Sequence, residues 1–125
     1  MVRLVVLAPG VPAHPAAVAW CADFIQRINR IAQFERRAVR AIRRTRSDLD
    51  AAARRQESAA LLQQIPPGAY AVLLDVTGKP IDCDQLRDKV QKIALEGGRA
   101  IWLVLGGPDG VDETVQARAD ERWSL

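Results

Sequence analysis

Apolar residues in this chain fall into short continuous runs and helical stripes that alternate along its length. Arg3–Ala8 (RLVVLA), ended by Pro9-Gly10, predicts a buried strand. Pro15 suits the first turn of a helix. From there Val18, Cys21, Phe24, Ile25, Ile28 and Ile31 recur at three- and four-residue steps, which predicts a helix with one apolar face. Phe34–Ile42 mixes apolar residues with arginines and is read as a second strand. Ser47 is a candidate N-cap, with Asp48 and Asp50 placed well for the helix dipole. The alanine-rich stretch that follows predicts a helix to Gln64, ended by Pro66-Pro67-Gly68. Ala69–Val76 (AYAVLLDV) predicts a third strand, and Thr77-Gly78-Lys79-Pro80 a turn. Asp82, with Gln85 three residues on, predicts a capping box for a helix through Leu95 that stops at Gly97-Gly98. Ala100–Leu105 (AIWLVL) predicts a fourth strand, Gly106–Gly110 a rigid turn, and Val111 to about Trp123 a last helix.

The predicted order is β-α-β-α-β-α-β-α. Strands that are apolar on both faces, alternating with amphipathic helices, specify an α/β fold with a parallel sheet covered on both sides. A length of 125 residues suits one domain spanning 1–125. No internal repeat or low-complexity segment interrupts it.

Composition narrows the function classes. No apolar run approaches the ~20 residues that cross a bilayer. The opening MVRLVVLAPG lacks the long apolar region and cleavage site of a signal peptide. A cytoplasmic protein without a membrane partner is the expectation. Cys21 and Cys83 form no CxxC pair, and His14 is the only histidine, so a disulfide or metal site is not expected. Net charge is only +3, yet ten arginines lie between Arg27 and Arg55, opposed by Glu35, Asp48 and Asp50. That asymmetry suits either a polyanionic partner or a solvated charged face. The guanidinium fork, which pairs bidentately with phosphate, leans toward the former.

Two apolar runs end in glycine-bearing turns, LLDVTGK and VLGGPDG. In open α/β sheets ligands bind beyond the carboxyl ends of strands, and glycine lets main chain approach a ligand closely. Neither turn is a phosphate loop: GxxxxGK[ST] is absent and GGPDG is not GxGxxG.

Ile65–Leu86 (IPPGAYAVLLDVTGKPIDCDQL) and Val104–Leu125 (VLGGPDGVDETVQARADERWSL) carry four motifs in order. They are an Ile-Pro-x-Gly start, a Leu-Asp-x-x-Gly-Lys turn, a Gly-Gly-Pro-Asp-Gly turn and an Ala-Asp…Ser-Leu approach to a last strand. The stretch resembles the ribosomal RNA large subunit methyltransferase H family, small SPOUT-class pseudouridine N3-methyltransferases. The first half matches only in outline: Ala8-Pro9-Gly10 stands where the family has Val-Gly-Lys.

The resemblance implies an α/β-knot fold, S-adenosylmethionine as cofactor, a homodimer, and a pseudouridine of large-subunit rRNA as substrate. It implies that Leu74 and Gly107 match cofactor-contacting positions, and that Leu125 opens a third cofactor-binding stretch. Family members continue past Ser-Leu with a strand, a Thr-Leu-Pro-His turn and a helix. A shortened domain, its trefoil knot incomplete or absent, is therefore the expectation. No catalytic base is identified. Asp75 and Asp109 read as loop braces, Lys79 as a phosphate-steering or free cation, and Trp20, Trp102 and Trp123 as core or interface. The alternative to an enzyme is a catalytically inactive SPOUT-like module that folds, self-associates or binds RNA.

Overall fold

The computed structural model describes residues 2–44 and 47–125, and the side chains of 2–44 and 51–125. The capping expected of Ser47, Asp48 and Asp50 lies outside those side chains. Among the described residues five strands are present: β1 (Val2–Pro9), β2 (Ala32–Val39), β3 (Tyr70–Pro80), β4 (Ile101–Leu105) and β5 (Glu121–Ser124). They form one sheet in the order β2-β1-β4-β3-β5, and every pairing is parallel. The helices are α1 (Pro15–Ile28), α2 (Ser47–Gln64), α3 (Cys83–Gly97) and α4 (Glu113–Arg118).

The expected α/β fold is present with one strand more than anticipated. The last helix is the correction. It was expected to reach Trp123, but α4 ends at Arg118 and Glu121–Ser124 is a strand. Ala119 already has extended backbone. Asp120 then locks onto β3: its amide donates to the Ala71 carbonyl at 2.7 Å, and its carboxylate accepts from the Ala71 amide at 2.8 Å. That pair sets the register Val72↔Glu121 and carries Trp123 into the core.

Crossovers between parallel strands are right-handed. For this order they place α1 and α3 on one face and α2 and α4 on the other. The packing agrees. Leu61 of α2 and Val115 of α4 close over Val5, Leu7, Leu73, Trp102 and Val104. Leu86, Val90 and Ile93 of α3 close over Leu4, Val72, Ile101 and Trp123. The predicted capping box of α3 is formed by Asp82 and Gln85, and Gly98 ends the helix at φ 59°. Pro15 opens α1 as expected, behind His14, whose Nδ1 accepts from the Ala16 amide at 3.1 Å. His14 is therefore a helix cap.

The apolar stripe of α1 is only partly covered. Cys21, Ile25 and Ile28 are half-buried. Val18, Trp20, Phe24 and the following Ile31 remain exposed, Trp20 at 74%. Of the three tryptophans, Trp102 and Trp123 are buried.

Candidate cofactor site at the strand tips

In a sheet whose strands all run the same way, every carboxyl tip lies on one rim. Leu74 of β3 pairs with Leu105 of β4, and Gly107 follows two residues later. On the other side Leu74 pairs with Trp123, two residues before Leu125. The tips carrying Gly107, Leu74 and Leu125 are thus consecutive across the sheet. Leu74 and Gly107 are half-buried and Leu125 is exposed. The connection leaving β3 leads to α3 on one face, and that leaving β4 leads to α4 on the other. Main chain of the two tips is therefore presented side by side on the carboxyl rim, where α/β sheets hold ligands.

Each glycine turn has its own geometric reason. In Gly107–Gly110 the Gly110 amide donates to the Gly107 carbonyl at 2.9 Å, and Gly110 has φ 75°, a left-handed value that favours glycine. Gly78 needs no unusual φ. A Cβ there would lie 2.7 Å from both the backbone N and C of Trp123. The cause is the path of β3. After Leu74 it leaves regular register, then meets β5 again at Lys79↔Trp123 and Pro80↔Ser124. The Ile81 amide completes the second pass by donating to the Ser124 carbonyl at 2.9 Å. The expected turn at Thr77–Pro80 is therefore an irregular continuation of β3 lying against β5.

Both carboxylates near the turns are engaged. Asp75 accepts from the Thr77 hydroxyl at 2.7 Å, and this bond chiefly holds its pKa below the ordinary value. Asp109 accepts from Arg44 Nε at 3.2 Å. Lys79 is exposed.

Arg44 shows what a collective reading of the arginines missed. Its Nη1 and Nη2 donate to the two oxygens of Glu57, each at 2.6 Å, and Nη1 also donates to the Ile42 carbonyl. Glu57 accepts from the Ile42 amide at 2.8 Å and is 2% exposed. A signal for it exists in the sequence. Ala53, Glu57, Leu61 and Ile65 recur every four residues and all are buried, so Glu57 is a carboxylate set within an apolar stripe. Such a charge needs a partner.

Burial alone would raise the Glu57 pKa. The Arg44 and Ile42 hydrogen bonds and the Arg44 charge outweigh it and hold the carboxyl below its ordinary 4.5. Asp112 and Glu121 behave alike, burial being outweighed by donors from Thr114 and Val115 and from Tyr70, Trp123 and Lys89. A carboxyl depressed in the folded state contributes stability that is complete above its unfolded value and lost as pH falls through the folded one. The melting temperature should therefore hold steady down to about pH 5 and fall progressively from there toward about pH 2. Calorimetric melts across that range check this; a flat profile would contradict these three carboxylate networks.

A concavity of about 460 Å³ lies at the opposite end of the sheet, lined by Tyr70, Lys89, Lys92, Arg99 and Glu121 among others. Its polar groups largely satisfy one another. Glu121 accepts from Tyr70, Lys89 and Trp123, and Arg99 donates to the Gly68 and Ala69 carbonyls. Among the described residues, no group of three or more His, Cys, Asp or Glu is placed to hold a metal ion. No helix there is long and apolar enough to cross a membrane.

A parallel α/β sheet with bare main chain at adjacent tips meets a direct match at family level. The family model described as "Predicted SPOUT methyltransferase" matches residues 2–125, and the chain belongs to that family. Its relatives include the "Ribosomal RNA large subunit methyltransferase H" of Pseudomonas putida strain KT2440, 42% identical over 71 residues. The protein of the same name from Marinomonas sp. strain MWYL1 is 39% identical over 71 residues. In both cases the alignment covers 57% of this chain and 45% of the relative, so the chain spans about half the length of the curated relatives it matches.

Proposed function

We propose that this chain serves methyl transfer from S-adenosylmethionine to N3 of a pseudouridine in large-subunit ribosomal RNA. The observation that carries the reading is the adjacency of the Leu74 and Gly107 tips, with connections leaving to opposite faces. The donor set fits the group. Half-buried Leu74 and Leu105 offer apolar surface, Gly106 and Gly107 offer bare main chain, and the nearby carboxylates are engaged. Such a site suits a neutral adenosyl group better than a polyphosphate. In this reading Leu74 and Gly107 hold the cofactor, with Leu125 beginning a third contact. Bound there, S-adenosylmethionine supplies an electrophilic methyl group. This chain's residues bind, orient and shield the reactants.

The family relationship and the names of the relatives support ribosomal RNA as partner and a cytoplasmic setting. Exposed Arg40 and Arg43 follow the carboxyl end of β2, on the same rim as the candidate site. There they would neutralise phosphates of the RNA, a contribution that weakens with salt. The uncovered stripe of α1 supports a homodimer. Sedimentation should show a concentration-dependent dimer; a monomer throughout would remove that part of the reading.

Calorimetric titration with S-adenosylmethionine tests the site directly. Saturable binding in the micromolar range is expected, as is methyl transfer to large-subunit rRNA. A folded protein that releases no heat would favour the second reading, a non-catalytic module, for which the exposed face of α1 is the favouring observation.

A further inference from the structure

We propose that Arg44 and Glu57 are positioning residues for the methyl-donor site, a clamp that fixes the Gly106–Gly110 turn against α2. The inference rests on the function proposed above and extends it to residues remote from the glycine motifs. Glu57 makes three bonds: two from the Arg44 fork and one from the Ile42 amide. Arg44 passes the connection on, its Nε donating to Asp109 inside the turn. One carboxylate thereby ties the loop after β2 and, through one guanidinium, the turn after β4.

The contact with Gly107 is close. A Cβ at that position would lie 2.5 Å from Glu57 Oε1 and 2.9 Å from Arg44 Nη2. Withdrawal of either group would break the several hydrogen bonds that hold it. Gly107 is glycine because the ion pair occupies the space beside it, and the same pair forms the floor under its main chain. Apolar packing of the same volume would support the fold equally well. What it lacks is direction. A bidentate fork fixes both the distance and the plane of what it touches, as a main-chain ligand site requires.

The test compares Glu57→Gln, Arg44→Lys and Leu61→Val in the full chain. Leu61 lies one turn further along α2 in the core, and among its core partners none belongs to the turn itself. The probes are S-adenosylmethionine affinity by calorimetry, well below each melting point, and hydrogen exchange of the Gly106–Gly110 amides. Glu57→Gln and Arg44→Lys should each weaken affinity by about tenfold or more and speed exchange in the turn. Leu61→Val should lower the melting temperature and leave affinity within about twofold. Should Glu57→Gln fail to fold, Arg44→Lys, which keeps the charge and loses the fork, carries the comparison. Wild-type affinity and unchanged exchange in the clamp variants would overturn the proposal, as would an equal loss in Leu61→Val. If the wild-type chain itself binds no S-adenosylmethionine, the functional reading falls and the clamp's role with it; binding by wild type and clamp variants alike refutes the clamp alone.

Discussion

Trp123→Ala will destabilise the fold by about 3–5 kcal/mol, the usual cost of emptying a large aromatic site in a core. Trp123 is fully buried, although β5 has only four residues and lies beyond β3 in the sheet. Its ring packs with Val72, Ile81, Ile93 and Ile101, and Lys89 Nζ sits 5.8 Å from its centroid. Its Nε1 donates to Glu121 Oε1 at 3.2 Å, so truncation also removes a donor from a carboxylate that burial penalises. The loss is a large share of the ~5–15 kcal/mol that holds a typical domain together. In a chain of this size it should lower the melting temperature by roughly 10–20 °C. Denaturant titration checks the free energy, with Leu95→Ala as the comparison. Leu95 is 87% exposed, and its replacement should stay within about 0.5 kcal/mol. A loss under about 1 kcal/mol at Trp123 would mean that β5 is not packed as described.

Gly78→Ala should cost about 1–3 kcal/mol or more, the range for inserting a methyl group where there is no room. The added carbon would stand 2.7 Å from Trp123 N and C and 2.8 Å from Arg122 C. These are main-chain atoms of a paired strand, and they cannot turn aside as a side chain would. Either β5 shifts, or the Asp75–Lys79 stretch lifts off it. Both outcomes disturb the tip bearing Leu74, so under the proposed function affinity for S-adenosylmethionine should fall along with stability. Gly68→Ala supplies the opposite sign. Nothing lies within 4 Å of a Cβ at Gly68 and its φ is not positive, so the substitution should stabilise by about 0.4–1 kcal/mol. Equal effects at the two glycines in denaturant titrations would mean that Gly78 has no close neighbour.

The central strands were legible because nothing competes with their pattern. Strict apolar–polar alternation is absent from β1, β3 and β4; each is built on a continuous apolar run bounded by glycine or proline, as a strand buried on both faces requires. The fifth strand was hidden by coincidence. Val111, Val115, Ala119 and Trp123 fall four residues apart, which is a helical period. Tertiary bonds from Asp120 to Ala71 override it. The glycine turns were visible as turns, but their adjacency depends on β4 inserting between β1 and β3, a fact of sheet order that local periodicity does not contain. Arg44 was visible only as one arginine among ten, although Glu57 marked its place from within the apolar stripe of α2.

The position of β4 also governs how the chain reaches this shape. It joins the β1–β2 pair to the β3–β5 pair, and it follows both β1 and β3 in the chain. While the polypeptide is being synthesised, β1 and β3 therefore emerge with edges that have no neighbour until β4 arrives. Parallel partners so distant in sequence assemble slowly, and the half-made sheet is the species that quality-control machinery in the cell would meet.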